Sequence, residues 1–186
     1  MISSRRTALA VAVLSLASGL GLADAPAPQQ ATLLLRILAF DRKLTSRASG
    51  AVSVAVVYKE GNPRSEALMS QLAAALEDAG RKNTVAGLPV KVMRVAYGAH
   101  LESDLDGAAA AYLCPGLEDA VPTITRTTQA KRILTFSASE EYLRQGASLA
   151  LVTRDTKLVI VVHLANSRGE GADLDSTLLR IAEVIR

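Results

Sequence analysis

The sequence predicts an α/β domain in three layers: a mostly parallel sheet flanked by helices, with a C-terminal β-hairpin at one edge and a terminal helix. Short apolar segments rich in Val alternate with amphipathic segments along most of the 186 residues, as is typical of a parallel sheet. Hydrophobic residues make up 49% of the chain, so a sizeable core can form. We therefore expect a single domain over residues 31–186.

The N-terminus has the pattern of a secretory signal peptide. Arg5 and Arg6 precede a short apolar segment, and residues 23–25 are a cleavage site of the A-x-A type. The apolar segment is shorter than the roughly 20 residues that a membrane-spanning helix needs. We expect residues 1–25 to be removed, with cleavage after Ala23 as the alternative, and residues 26–30 to form a short polar linker. The mature protein would then be exported to a bacterial periplasm with no transmembrane segment.

The first half of the mature chain alternates between helical and extended patterns. Apolar residues at helical spacing predict a helix over 31–44, and residues 51–58 predict a buried strand. Asn62 and Pro63 predict the start of the next helix, because Asn is a favoured N-cap and Pro is favoured in the first turn. The remaining elements predicted here are a strand at 89–97, a short helix at 99–109 and a buried strand at 110–113.

The second half continues the alternation and then departs from it. A helix over 117–131, a strand at 132–136 and a short helix at 139–145 come first. The apolar segments 147–153 and 157–164 flank a three-residue turn, which predicts an antiparallel hairpin. Asp175 predicts the N-cap of a last helix over 176–186.

Composition excludes several functional classes. Lys and Arg exceed Asp and Glu by only three and form no stripe, which argues against a nucleic-acid partner. The single cysteine, Cys114, excludes an internal disulfide framework and a cysteine-built zinc site. No cofactor is predicted. Cys114 would be a lone thiol in an oxidising compartment, either buried in the core or paired between molecules.

The loop after the first strand is the best candidate for a ligand site. In open α/β sheets ligands bind at the carboxyl ends of the strands. The free N–H groups of the helix start, together with Lys59, Asn62, Arg64 and Ser65, could hold an anion there. The alternative is an ordinary solvated loop between strand and helix.

Three other motifs are better explained by structure than by chemistry. Residues 169–171 (GEG) resemble half of a dinucleotide fingerprint but lack the third Gly and the following strand, so a turn is expected. Residues 104–107 (DLDG) lack the later ligands of a calcium loop. His163 has no nucleophile at a recognisable spacing, so the chain is not predicted to be an enzyme.

The C-terminal third contains a strand and a short helix ending in Gly, and then characteristic segments after the hairpin: ILTFSAS at 133–139, EYLRQG at 141–146, LAN at 164–166 and STLLRIAEV at 176–184. In these segments the chain resembles the YfiR/HmsC-like family of exported bacterial proteins. The chain departs from the family in having one cysteine where known members have pairs, and His163 where the family has Asn.

The resemblance implies a non-enzymatic periplasmic regulator. Such regulators bind the periplasmic sensor domain of an inner-membrane diguanylate cyclase, hold it inactive and so lower cyclic-di-GMP and biofilm formation. The resemblance leaves a homodimer open. Three other functions are weighed against it: a small-ligand-binding module related to one lobe of a solute-binding protein, a hydrolase with scattered catalytic residues, and an envelope assembly partner.

Overall fold

Seven strands form one mixed sheet in the computed structural model, which describes residues 25–155 and 157–186. Their order across the sheet is β2-β1-β3-β4-β5-β6-β7. Strands β1 to β5 are mutually parallel, β6 runs antiparallel to β5, and β7 runs parallel to β6. The strands are β1 (Val52–Tyr58), β2 (Val90–Ala96), β3 (Ala110–Leu113), β4 (Leu134–Ser137), β5 (Leu149–Arg154), β6 (Lys157–His163) and β7 (Glu183–Ile185).

Helices cover both faces of this sheet. One face packs against α1, α3 and α8, and the other packs against α4, α5 and α6. The predicted three-layer α/β class and the β5–β6 hairpin are therefore confirmed. The helices are α1 (Ala27–Ala39), α2 (Leu44–Arg47), α3 (Pro63–Lys82), α4 (Leu101–Asp104), α5 (Val121–Lys131), α6 (Glu140–Arg144), α7 (Leu164–Gly169) and α8 (Ser176–Ile181).

Alternation along β1 builds two cores. Val54 and Val56 are fully buried on the α1 and α3 side, while Ala55 and Val57 are fully buried on the α4 and α5 side. This near-continuous apolar run is what a strand covered on both faces requires. β1 pairs with β2 on one side and with β3 on the other. The order in which strands are added to the sheet therefore changes direction at β1.

The predicted linker at residues 26–30 is wrong, because α1 already begins at Ala27. Gln30 is fully buried, donates from Nε2 to the Ala25 carbonyl oxygen over 2.6 Å, and accepts from the hydroxyl of Tyr112 on β3. A buried polar side chain needs such partners, and Tyr112 lies 82 residues from Gln30 in sequence. The predicted signal peptide lies outside the described residues except for Ala25.

The predicted terminal helix over 176–186 is also wrong in its second half. Asp175 does cap α8, because its Oδ1 accepts from the Thr177 amide over 2.7 Å. The helix ends at Ile181, Ala182 is extended, and the last residues form β7 against β6. The extended conformation satisfies backbone groups of β6 that a helix would leave unpaired at the sheet edge.

Several element boundaries differ from the sequence prediction. The first helix is displaced to 27–39 and followed by the short α2, α4 covers only four residues, and α5 begins at Val121. Helix α7 follows β6 directly and has no counterpart in the prediction. None of the described helices is long and apolar enough to cross a membrane.

Candidate functional site

A cleft of about 480 Å³ opens at the carboxyl ends of β3, β4 and β5. We call it the carboxyl-edge cleft. Its lining comes from Arg64 in the first turn of α3 and from residues at 113–118, where β3 ends. Residues at 138–142 and the carboxyl end of β5, residues 152–154, complete it. Segments far apart in sequence meet here because parallel strands bring their carboxyl ends to one edge of the sheet.

Two of the four predicted ligand residues hold the loop together. Asn62 caps α3, with its Oδ1 accepting from the Ser65 amide over 3.1 Å. Ser65 is fully buried, and its Oγ accepts from the Lys59 amide over 2.9 Å. The Gly61 amide donates to Oε1 of Glu66 over 2.8 Å. The polar groups of this helix start are therefore largely engaged within the loop itself.

The two predicted cations lie in different cavities. Arg64 lines the carboxyl-edge cleft, whereas Lys59 lines a neighbouring cavity of about 110 Å³ together with Tyr97 and Asp119. The structure thus brings Lys59, Asn62, Arg64 and Ser65 to the predicted edge of the sheet without converging them on one point. Arg64 is the member that faces the larger space.

The loops after β1 and β3 are in close contact across the point where the chain reverses direction. Gly116 has a φ of +88°, and a Cβ built on it would lie 2.5 Å from Nδ2 of Asn62. Only glycine is compatible with both the backbone angle and the approach. Asn62 therefore fixes the loop before α3 and also packs against the loop that begins the cleft wall.

Tyr142 on α6 supports the inner wall of the cleft. Its hydroxyl accepts from the Leu117 amide over 3.1 Å and lies 3.3 Å from the Cys114 carbonyl oxygen and 3.2 Å from Oε1 of Glu118. Burial raises the pKa of Tyr142 above its ordinary value. This phenol stays protonated at neutral pH and holds residues 114–118 in place.

Cys114 is a core residue rather than part of the cleft surface. Its side chain is fully buried in the core on the α1 side of the sheet. Burial raises the pKa of the Cys114 thiol to about 12. A thiol without ionised character or access does not exchange readily with other thiols. The sequence left Cys114 either buried in the core or paired between molecules, and the structure buries it in the core.

The cleft rim carries both signs of charge. Glu140 and Arg154 form an ion pair on one side, and Arg154 also lies 3.0 Å from Glu183 of β7. Arg64 and Glu118 lie on the other side. Among the described residues there is no group of three His, Cys, Asp or Glu side chains that could hold a metal ion. Charged groups of both signs therefore border the cleft.

A second feature is the exposed edge formed by β7, which we call the β7 edge. The large hydrophobic side chains found exposed among the described residues are Val184 (37% exposed) and Ile185 (39%) in β7, and Ile181 (69%) at the end of α8 just before it. β7 pairs with β6 on one side, and in the described sheet its other side pairs with no strand. Apolar side chains beside unpaired backbone groups form a surface that another chain can extend.

Sequence reasoning missed the β7 edge because the segment 176–186 fits a helical pattern. The available signal was the β-branched pair Val184-Ile185 at its end, which favours an extended conformation. At the opposite edge of the sheet, β2 exposes Lys91 and Arg94 instead. Charged residues on an edge strand disfavour pairing with other chains. The two edges therefore differ in charge, since β2 carries these two cations and β7 carries one carboxylate, Glu183.

The sequence profile of the YfiR/HmsC-like family matches residues 29–183. The chain belongs to the YfiR/HmsC-like family. The match begins in the first turn of α1 and ends at the first residue of β7, so it includes α2 to α8 and β1 to β6 in full. Membership supports a periplasmic regulatory role and places the chain in a regulatory, non-enzymatic family. No curated protein gives a significant match to the chain.

Three solved structures have a fold similar to that of this chain. A conserved domain protein from Vibrio cholerae has a TM-score of 0.62 at 15% identity, covering 87% of this chain and 60% of its own. The ABC domain in complex with L-Trp from Streptococcus pneumoniae has a TM-score of 0.61 at 14% identity, with coverages of 86% and 60%. A ligand-free, open substrate-binding protein with adhesive properties from Clostridium difficile has a TM-score of 0.56 at 13% identity, with coverages of 77% and 57%.

These likenesses show a shared α/β fold. The YfiR/HmsC-like chain spans about 60% of the length of the first two of these structures. The shared fold agrees with the α/β class that the sequence predicts. At this level of identity it shows neither an activity nor a ligand.

Proposed function

We propose that this YfiR/HmsC-like protein is a non-enzymatic periplasmic regulator. It binds the periplasmic sensor domain of an inner-membrane diguanylate cyclase and holds the enzyme inactive, which lowers cyclic-di-GMP. The proposed signal peptide of residues 1–25 delivers it to that compartment. Family membership supports the class of function, and the β7 edge is the single structural observation that supports binding to a protein partner.

The β7 edge offers two kinds of contact to a partner. Its backbone N–H and C=O groups can continue the sheet, and Val184 and Ile185 can bury apolar area. Binding inhibits the cyclase only if the inactive sensor conformation presents the better complement, because a ligand shifts an equilibrium by its differential affinity for the two states. The contact surface is thus proposed to recognise one conformation of the sensor domain.

The test combines cellular cyclic-di-GMP with a matched pair of variants. Deletion of the gene should raise cyclic-di-GMP, and the full gene should restore it, while a copy lacking residues 2–25 should not. Val184→Lys should fail to restore it because the lysine disrupts the apolar edge. Ala74→Lys adds the same charge at an exposed position of α3 and should restore it.

Two further results would bear on the proposal. Purified Val184→Lys should keep the wild-type circular dichroism spectrum and lose affinity for the isolated sensor domain. Unchanged cyclic-di-GMP in the deletion strain would overturn the proposal, and equal activity of the two lysine variants would remove the β7 edge from it. The homodimer left open by the resemblance is measured on the same samples by light scattering.

A second candidate function is the binding of a small ligand in the carboxyl-edge cleft. The observation in its favour is a cleft of about 480 Å³ with both signs of charge on its rim, at the strand edge where α/β folds bind ligands. We propose a small zwitterion of amino-acid size, with Arg64 facing its carboxylate. One structure of similar fold is described as a complex with L-Trp.

Calorimetric titration with a panel of amino acids tests this candidate. Binding that is lost in Arg64→Gln and kept in Arg81→Gln, an exposed arginine at the end of α3, would support it. No heat with any member of the panel would exclude ligands of this class. This result is independent of the cyclic-di-GMP measurement, so the two candidates succeed or fail separately.

A further inference from the structure

Glu170 is a fully buried carboxyl group at the end of α7. Sequence reasoning explained residues 169–171 as a turn, and Gly171 does adopt a left-handed φ of +78°. The turn drives the Glu170 side chain inward, toward the C-terminal half of α5 and the starts of β4 and β5. Carboxyl groups are rarely buried unless they are bonded, so its partners decide what it does.

Four donors surround the Glu170 carboxyl group. The Thr128 hydroxyl donates to Oε1 over 2.7 Å, and the Thr135 amide donates to Oε2 over 2.8 Å. The Thr135 hydroxyl lies 3.0 Å from Oε1, and the Ser148 hydroxyl donates to Oε2. The cluster therefore joins α5, β4 and the residue before β5 to the end of α7.

The same cluster can accommodate a neutral Glu170. A protonated carboxyl group must donate one hydrogen bond, and Thr128 can accept it, because its own hydroxyl proton has a second acceptor in the Thr125 carbonyl oxygen at 3.1 Å. Thr135 keeps its place in either case, since its Oγ1 accepts from the Ser148 amide over 2.8 Å. The ionised and protonated forms of Glu170 can therefore both be fully hydrogen-bonded, and they differ by one proton and by the rotation of the Thr128 hydroxyl.

No charged side chain in the described chain is bonded to Glu170. β4 carries no charged residue, and the charged residue of β5, Arg154, lies at the opposite end of that strand and pairs with Glu140 and Glu183. Asp41 and Arg47 pair with each other. The remaining charged groups of α5, its C-cap and residues 164–175 are Arg126, Lys131, Arg132, Arg168, Asp173 and Asp175. Lys131 pairs with Asp106, Asp175 pairs with Arg42, and the others are exposed.

We propose that Glu170 and the hydroxyls of Thr128, Thr135 and Ser148 form a pH-sensitive latch that fastens residues 164–175 to α5, β4 and β5. The protonated form is the closed state, because a neutral carboxyl group is buried at much lower cost than an ionised one. Burial raises the pKa of Glu170 to about 7, although its hydrogen bonds lower it. The latch therefore changes state near neutral pH.

A rise in pH should reduce the contribution of Glu170 to the free energy of unfolding. The folded protein binds the Glu170 proton more tightly than the unfolded chain, so its contribution to stability is complete below the unfolded pKa of 4.5 and is lost as the pH rises toward 7. The unfolding equilibrium constant of the wild type, relative to Glu170→Gln, should rise on the order of a hundredfold between pH 5 and pH 8. Every other titratable group, including His163, is present in both proteins, so its contribution cancels in this comparison.

Denaturant unfolding of the wild type, Glu170→Gln and Glu102→Gln tests the latch. Glu102 is an exposed glutamate on α4, so its variant should keep the wild-type pH dependence. Amide hydrogen exchange should show that residues 164–175 lose protection at pH 8 in the wild type and keep it in Glu170→Gln. Identical pH dependence in the wild type and Glu170→Gln, or loss of protection spread evenly over the chain, would overturn the proposal.

A spectroscopic measurement covers the case in which Glu170→Gln does not fold. The carbon-13 resonance of the Glu170 carboxyl group in the wild type should titrate near pH 7. A midpoint below pH 5 would overturn the latch whatever the variants do.

Discussion

Asp41 and Arg47 form a buried ion pair that connects the segment after α1 to the amino ends of two central strands. Their side chains are 0% and 7% exposed. Arg47 also donates to the carbonyl oxygens of Ala109 and Arg132, over 3.0 and 2.7 Å, just before β3 and β4. Asp41 accepts from the amides of Lys43 and Asp173, over 3.0 and 2.9 Å. The pair thus joins the beginning, middle and end of the domain.

Arg47→Met should destabilise the protein strongly, because it leaves the Asp41 carboxylate buried without its cation. Removal of one member of a buried ion pair costs about 3–5 kcal/mol in the free energy of unfolding. Arg42→Met is the matched control, since Arg42 pairs with Asp175 over 2.7 Å and its side chain is 59% exposed. Urea unfolding of both variants measures the difference, and equal losses would contradict the interpretation of Asp41 and Arg47 as a buried pair.

The Cys114 thiol should be unreactive in the folded protein. Its burial and raised pKa, about 12, leave almost no accessible thiolate at pH 8. A thiol reagent such as dithionitrobenzoate should label less than a tenth of the protein under native conditions and all of it in guanidinium chloride. Cys114→Ala provides the blank. Rapid native labelling, or a disulfide-linked dimer on a non-reducing gel, would show that the thiol is accessible.

Gly116→Ala should destabilise the loop contact next to the carboxyl-edge cleft. The φ of +88° and the approach to Asn62 each disfavour a Cβ, and together we expect a loss of about 1–3 kcal/mol. Gly50→Ala is a useful comparison, because Gly50 has a φ of +72° and no atom within 4 Å of a built Cβ. It isolates the cost of the backbone angle. A smaller loss for Gly116→Ala than for Gly50→Ala would argue against close packing on Asn62.

Asp175 should give stability a second, opposite dependence on pH. Hydrogen bonds from the Thr177 amide and the neighbouring Arg42 lower the pKa of Asp175 to about 2. Its contribution is present above the unfolded pKa of 3.8 and is lost as the pH falls toward 2. Asp175→Asn keeps a capping oxygen but cannot ionise, so its thermal midpoint should vary less than that of the wild type between pH 4 and pH 2. Equal variation would assign the acid sensitivity to other carboxylates.

The local sequence determined the class of fold and many element starts. Short apolar segments bounded by turn residues predict β1, β3 and the β5–β6 hairpin, because burial on two faces demands apolar residues at successive positions. Asn62 and Asp175 were identified as caps because a capping oxygen bonds an amide two or three residues away. The loop at 59–65 lies at the carboxyl edge of the sheet, as does every loop that follows a parallel strand on the same side.

Tertiary structure decided what depends on partners distant in sequence. Residues 27–30 are helical although their sequence is typical of a linker, because the buried Gln30 accepts a hydrogen bond from the hydroxyl of Tyr112. Residues 183–185 are extended although they continue a helical pattern, because β6 offers an open edge. Glu170 looks like part of a turn, yet Thr128, Thr135 and Ser148 enclose it. In each case the deciding free energy comes from hydrogen bonds and burial between segments that only the folded chain brings together.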